Sequence, residues 1–319
     1  MPKSAFLPLT AIASIPFVVT LGNSMLIPVL PIIGRELGIS PFQSSLIITV
    51  YSIVAVIFIP LAGLTSDRVG RKKVIIPSLA ITGVGGLISA VAAVSTRNAF
   101  YFILTGRFIQ GIGAAGAFPI VFSLVGDMFS DEEDVSHGLG IVETANTVGK
   151  VFSPILGTIF AYWAWYLPFF TIPVLSLLSL LMIAFWIDSS KPQKTPRTLG
   201  SFIEQLKGVF KEEGKWLTAI FVAGIIIMTN PFGLLVYLSN VLEDAHGIFG
   251  IKKGLFLAIP LVNVSLASYL AGKFIGKEKP IMRKTSIVGL LTMFAACLAM
   301  VFFHELWSLL TFISHISHP

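Results

Sequence analysis

Nine separate stretches of this chain, approximately 5–33, 42–64, 74–96, 99–126, 137–161, 166–187, 216–241, 254–272 and 285–303, run apolar between charged or turn residues. Each is near the ~20 residues that an α-helix needs to cross roughly 30 Å of hydrocarbon. Inside lipid only helices and closed barrels satisfy every backbone N–H and C=O, so runs of this length predict an all-α membrane protein. Composition agrees: 55% of the 319 residues are hydrophobic, 12% are charged, and the mean hydropathy is +0.88. A tenth run begins at Leu306 and stays apolar only to Ser314, too short to cross. The first run, from Ala5, is longer than a signal-peptide core and lacks a small-residue cleavage site, so it reads as a retained span.

Lys and Arg in the connecting segments set the orientation, because acidic residues weigh little in that bias. One side carries sixteen of them, among them Lys3, Arg68, Arg71, Lys72, Lys73, Lys191, Lys215 and Lys284, and the other carries Arg35, Arg97, Lys252 and Lys253. This places the N-terminus in the cytoplasm and explains the net charge of +6 by basic loops on an anionic leaflet, without nucleic acid as a partner. One connection dissents, since Asp127, Asp131, Glu132, Glu133 and Asp134 stand on the basic side with no cation among them. The polar stretch 188–215, with Pro192, Pro196 and six basic residues, divides an N-terminal six-span bundle (1–187) from a C-terminal segment (216–319) of three full spans and part of a fourth. Gly63-x-x-x-Asp67-Arg68 after the second span echoes Gly272-x-x-x-Gly276-Lys277 after the eighth, as two parallel six-span repeats would. Cys297 lies in an apolar run and reads as a core residue.

Four constellations carry more specific information. Between the second and third spans, Gly63-x-x-x-Asp67-Arg68-x-Gly70-Arg71-Lys72 packs its charges against two apolar runs. The first span contains Leu21-Gly22-x5-Pro28-Val29-x-Pro31, where Gly22, Pro28 and Pro31 loosen a helix. The fourth holds Arg107-x-x-Gln110-Gly111-x-Gly113, and Arg107 sits several residues inside an apolar run, where a charge costs roughly 2.5–3.5 kcal/mol on the lenient insertion scale. The fifth holds Gly140-x8-Gly149-x3-Ser153-Pro154-x-x-Gly157-Thr158, small residues for close helix packing around a proline that permits bending. Together these resemble the major facilitator superfamily, most closely its twelve-span drug:proton antiporters, although Ser153 and Thr158 stand where that pattern has glycine.

The resemblance implies a major facilitator-type helical bundle with a complete six-span N-terminal half and an incomplete C-terminal half. It implies proton-coupled export of small amphipathic compounds by alternating access, with a siderophore or another specific metabolite as the alternative cargo. It implies a proton-linked role for Arg107 with Gln110 beside it, against which stands an arginine that ties helices together through carbonyls. It also makes the Gly63–Lys72 loop a latch on the cytoplasmic side, with Asp67 working against an eleventh span. Twelve spans are expected and this chain stops within the tenth, so a truncated, transport-inactive remnant is a competing expectation, and a scaffold or receptor on the same fold is a third.

The family pattern does not account for Glu143 and Lys150 in the fifth span. Seven residues apart, they share nearly one helix face at about 10 Å along the axis. Lys150 and Arg107 fall at comparable depths in antiparallel spans, so both are candidates to line one cavity with Glu143 as their protonatable partner and anionic or polar substrates preferred. A Lys150 that snorkels, or faces a structural carboxylate, is the equal alternative. Asn23 and Asn263 are candidates for substrate contact or for helix–helix hydrogen bonds. The aromatic run Tyr162-Trp163-Ala164-Trp165-Tyr166 suits an interfacial belt. His304, His315 and His318 lack metal-ligand spacing, no phosphate-cradling loop is present, and no nucleophile–base pair stands out, so neither cofactor, metal nor enzymatic catalysis is expected. The expected partners are a small-molecule substrate, protons and the lipid bilayer, with the protein acting as a monomer.

Overall fold

The computed structural model describes residues 6–95, 98–129, 131–187 and 199–274, with scattered helical positions between 284 and 298. Among the described residues every regular element is helical: α1 (Phe6–Ser24), a 3-10 turn (Ile27–Val29), α2 (Leu30–Leu37), α3 (Pro41–Val69), α4 (Arg71–Ser95), α5 (Ala99–Met128), α6 (Glu132–Trp163), α7 (Leu167–Trp186), α8 (Leu199–Asp244) and α9 (Gly250–Phe274). The expected ninth span, the tenth run, Gly276, Lys277, Cys297 and the three C-terminal histidines lie wholly or mainly outside the described residues.

Local chemistry sets the boundaries. Gly38, at φ +63°, ends α2 in the left-handed region, where a Cβ is disfavoured. Ser40 and Gln43 then close a reciprocal capping box at the start of α3, at 3.2 and 2.9 Å, with Pro41 in the first turn. Gly70, at φ +101°, makes the one-residue break between α3 and α4. The first span is interrupted as its prolines suggest: α1 stops at Ser24, and the chain passes through the 3-10 turn before α2 resumes. Five units, Phe6–Leu37, α3, α4, α5 and α7, are long and apolar enough to cross a bilayer. α6 has the length, 32 residues, but carries Glu132, Asp134, Glu143 and Lys150.

The expected linker 188–215 differs from an irregular connection in its second part. From Leu199 the chain is already helical and runs into α8, with one non-helical residue, Glu213 (φ −117°, ψ 15°), marking the bend. Across it Phe210 stacks on Phe221, ring centroids 6.4 Å apart.

Helices α1 to α7 form one bundle with two apolar layers. Ile12, Ile15, Ile75, Leu79, Val121, Leu124, Val142 and Ile183 fill the layer toward Gly70. Leu26, Ile33, Ile47, Ala90, Phe100, Ile103 and Phe169 fill the layer toward Gly38. α4 and α5 approach closely enough that a Cβ on Gly85 would meet the Gln110 backbone, and one on Gly106 the Ser89 backbone. A smaller core of Ile27, Leu235, Leu238, Leu242, Leu257 and Leu261 joins this bundle to α8 and α9. The seam between the two halves thus runs along the 3-10 turn and α6 on one side, and α8 and α9 on the other.

Candidate functional site

Among the described residues, four polar clusters interrupt the apolar packing. At mid-depth, between the two layers, α5 buries Arg107 completely. Its Nε donates to the Ile47 carbonyl of α3 at 2.8 Å, and Nη1 donates to Gln110 Oε1 at 2.6 Å. Nη2 donates to Asn23 Oδ1 of α1, and the guanidinium stands 4.5 Å from the ring centre of Tyr51. The charge is therefore spread over two amide oxygens, a carbonyl and a π-face, with three helices tied to one group.

The second cluster lies at the Gly70 end. With Gly70 turning the chain, Arg71 reaches back to Asp67, donates from Nη1 to Ser66 Oγ at 2.7 Å, and pairs from Nε with Asp127 Oδ2 at 3.2 Å. Lys72 donates to the carbonyls of Ala184 and Ile187 at the C-terminus of α7, where four carbonyls lack helical partners and the dipole favours a cation. Arg68 is exposed, and Gly63 has open space beside it. The acidic connection that dissented from the charge bias finds part of its reason here, since Asp127 neutralises Arg71.

The third cluster is at the seam. Lys150 of α6 is half-buried beside a small cavity of about 20 Å³ lined also by Ser24, Ile27, Pro28, Pro154, Leu235, Leu257 and Leu261. That volume holds about one water. Among the described residues nothing pairs with its ammonium. Below it, Gly149 lets α6 approach the Phe17 carbonyl of α1, and Gly157 lies against Met25. A Cβ on Gly22 would meet Ile172 of α7, while one on Gly140 would meet nothing within 4 Å. Ser153 and Thr158 spend their hydroxyls on the carbonyls of Gly149 and Pro154 in their own helix. Pro154 has no N–H to give the Lys150 carbonyl four residues before it, which frees one backbone bond at the lysine.

Two groupings expected from the sequence are not formed in this structure. Arg107 does not line the cavity beside Lys150; its Nε, Nη1 and Nη2 each donate to a group on α1, α3 or α5. Glu143 is exposed and accepts from Asn146 Nδ2 at 3.0 Å instead of facing either cation, and Asn146 in turn accepts from Thr20 at 2.6 Å. Asn23 is engaged by Arg107, and Asn263 is half-buried and away from the cavity lining. Pro31 is half-buried in the first turn of α2.

Among the described residues the best-buried carboxylate is one that sequence reasoning missed. Glu243 is 4% exposed at the end of α8 and pairs with Lys253 of α9, 1% exposed, at 2.6 Å. It also pairs with Arg35 of α2. Both cations had been assigned to the sparse loops of one side, where solvation is the natural assumption. The available signal was that Arg35, Glu243 and Lys253 all fall just at span ends, where neighbouring helices can cover them. Among the described residues, no cluster of His, Cys, Asp or Glu could hold a metal ion.

Residues 12–316 match the Major Facilitator Superfamily model. The "Bacillibactin exporter" of Bacillus subtilis (strain 168) is 47% identical over 305 residues, 95% of this chain and 76% of that protein. "Multidrug resistance protein 2" of the same strain is 27% identical over 88% of this chain and 70% of its own length. Among solved structures, a bacterial homologue of the human lysosomal transporter Spinster, in an inward-facing and unoccupied conformation, superimposes with a TM-score of 0.75 at 18% identity, covering 100% of this chain and 74% of that one. A D-xylose–proton symporter superimposes with a TM-score of 0.70 at 15% identity, covering 99% of this chain and 79% of that one.

Proposed function

We propose that this chain, which belongs to the Major Facilitator Superfamily, is a proton-coupled exporter of a siderophore-class or similarly acidic amphipathic compound. Membership makes it a multi-pass membrane transporter and not an enzyme. The finer reading rests on Lys150, a cation without a partner among the described residues, facing the seam between the two halves beside a proline-weakened turn. Alternating access opens such a seam to one side and then the other. A ligand drives that change only through contacts that differ between the states. An acidic group would pair with Lys150 when the halves part, and the leucines of α8 and α9 would meet the apolar body of the same molecule. The 47% identity to the bacillibactin exporter favours a siderophore, and the 27% identity to a multidrug resistance protein keeps general drug efflux as the second reading.

The protein works in the cell membrane as a monomer, with its N-terminus and the Gly70 end toward the cytoplasm, in keeping with the basic residues gathered there. Arg71, Asp67 and Lys72 then close the cytoplasmic ends of α3, α4 and α7 as a latch. Coupling needs a carboxylate whose protonation responds to the state of the carrier. Glu143, hydrogen-bonded through Asn146 to Thr20 of α1, is the candidate in the spanning part of the N-terminal half. The test is bacillibactin release from cells that lack their own exporter and express this chain, with and without a protonophore. Protonophore-sensitive release supports the reading; release at the level of empty cells removes the siderophore assignment.

A further inference from the structure

The Arg35–Glu243–Lys253 cluster joins the two halves at the Gly38 end, and its bonds divide into two kinds. Glu243 and Lys253 belong to the same half, on α8 and α9, where the turn through Gly247 and Gly250, both at φ +60°, brings the helix ends together. Arg35 belongs to the other half. So does Pro28, whose carbonyl accepts from Lys253 Nζ at 3.0 Å. That carbonyl is available because Pro31, three residues on, has no N–H to offer the 3-10 turn. Beside the cluster lies a cavity of about 160 Å³ lined by Pro28, Ile32, Thr158, Tyr162, Glu243 and Lys253. Its volume admits several waters.

We infer that Arg35 and the Pro28 carbonyl, acting on a preformed Glu243–Lys253 pair, are the gate that closes the Gly38 end of the transporter. The division of bonds is what makes it a gate. When the halves separate, Glu243 and Lys253 keep each other, so neither buried charge is left uncompensated, the outcome that makes breaking a buried pair so costly. Only the Arg35 contact and one hydrogen bond to a carbonyl are lost. Arg35 is 57% exposed and returns to water at little cost, and the adjoining cavity lets water reach the pair as the seam opens. These residues position the two halves.

Spin labels on cysteines at Phe42 (72% exposed, α3) and Ile251 (46% exposed, α9) report the separation of the halves at this end without touching the cluster. The background is Cys297→Ser, and the protein is reconstituted in liposomes and read by pulsed electron resonance. Arg35→Gln leaves the buried pair intact and is expected to raise the ratio of separated to closed populations about threefold, the effect of losing one half-exposed ion-pair contact. Arg35→Lys restores most of the closed population. Glu243→Gln combined with Lys253→Met removes the pair without leaving a lone charge, and is expected to give the same shift with thermal stability held near that of the parent. Distance distributions that superimpose on the parent in both Arg35→Gln and the double variant overturn the assignment. So does a shift that Arg35→Lys fails to reverse.

Discussion

Arg107 and Lys253 are both cations buried to 1% exposure or less, and they are held in opposite ways. Every partner of Arg107 lies on α1, α3 or α5, inside one half of the molecule. Lys253 divides its bonds between Glu243 in its own half and Pro28 in the other. A group satisfied within one rigid body resists every motion of that body and is indifferent to the seam. A group shared across a seam has two arrangements, and its bonds select between them. On the function proposed above, Arg107 belongs to the scaffold, the Lys253 cluster to the moving parts, and Lys150, at the seam and unpaired among the described residues, to the cargo.

The comparison can be broken most sharply at Arg107. Arg107→Met leaves the acceptors of Asn23, Gln110 and Ile47 buried without their donor, and thermal unfolding in detergent is expected to show a loss of several kcal/mol, roughly 1–3 for each acceptor left without a partner. An unchanged transition with altered flux would move Arg107 from scaffold to mechanism. Next in size is Gly157→Val, which drives a branched side chain into Met25 of the broken first span and is expected to cost about 1–3 kcal/mol by the same assay. Lys150→Met sharpens the contrast from the other side: stability is expected to stay within about 0.5 kcal/mol while export of an acidic substrate falls about tenfold. Glu143→Gln has the smallest expected effect on stability, under about 0.5 kcal/mol, because Glu143 is exposed. Retention of full protonophore sensitivity in that variant would remove Glu143 from coupling.

The helices were legible because length and apolarity alone decide which runs can cross a bilayer, and α3, α4, α5 and α7 follow the runs read from the sequence closely. Arg107 was legible as unusual because a cation inside an apolar run has no cheap place to go, and Asn23 and Gln110 stood out as polar residues in spans. The rest of its shell was not, since the Ile47 carbonyl exists at every residue and the Tyr51 ring looks like any core aromatic. The buried Glu243 was missed for a different reason. Assigning charges to spans or loops by run boundaries treats span ends as solvated, whereas α2, α8 and α9 bring three span ends together and bury the charged side chains of two of them. Spacing along α6 put Glu143 and Lys150 on nearly one face, yet it could not say that Asn146, one turn from each, would take the carboxylate.

The central claim, that the seam at Lys150 carries an acidic cargo, is tested most directly by bacillibactin flux in sealed vesicles under an imposed proton gradient, comparing the parent with Lys150→Met at equal protein and verified folding. The account predicts gradient-dependent flux in the parent that falls about tenfold in the variant. Parent-level flux in Lys150→Met would contradict it.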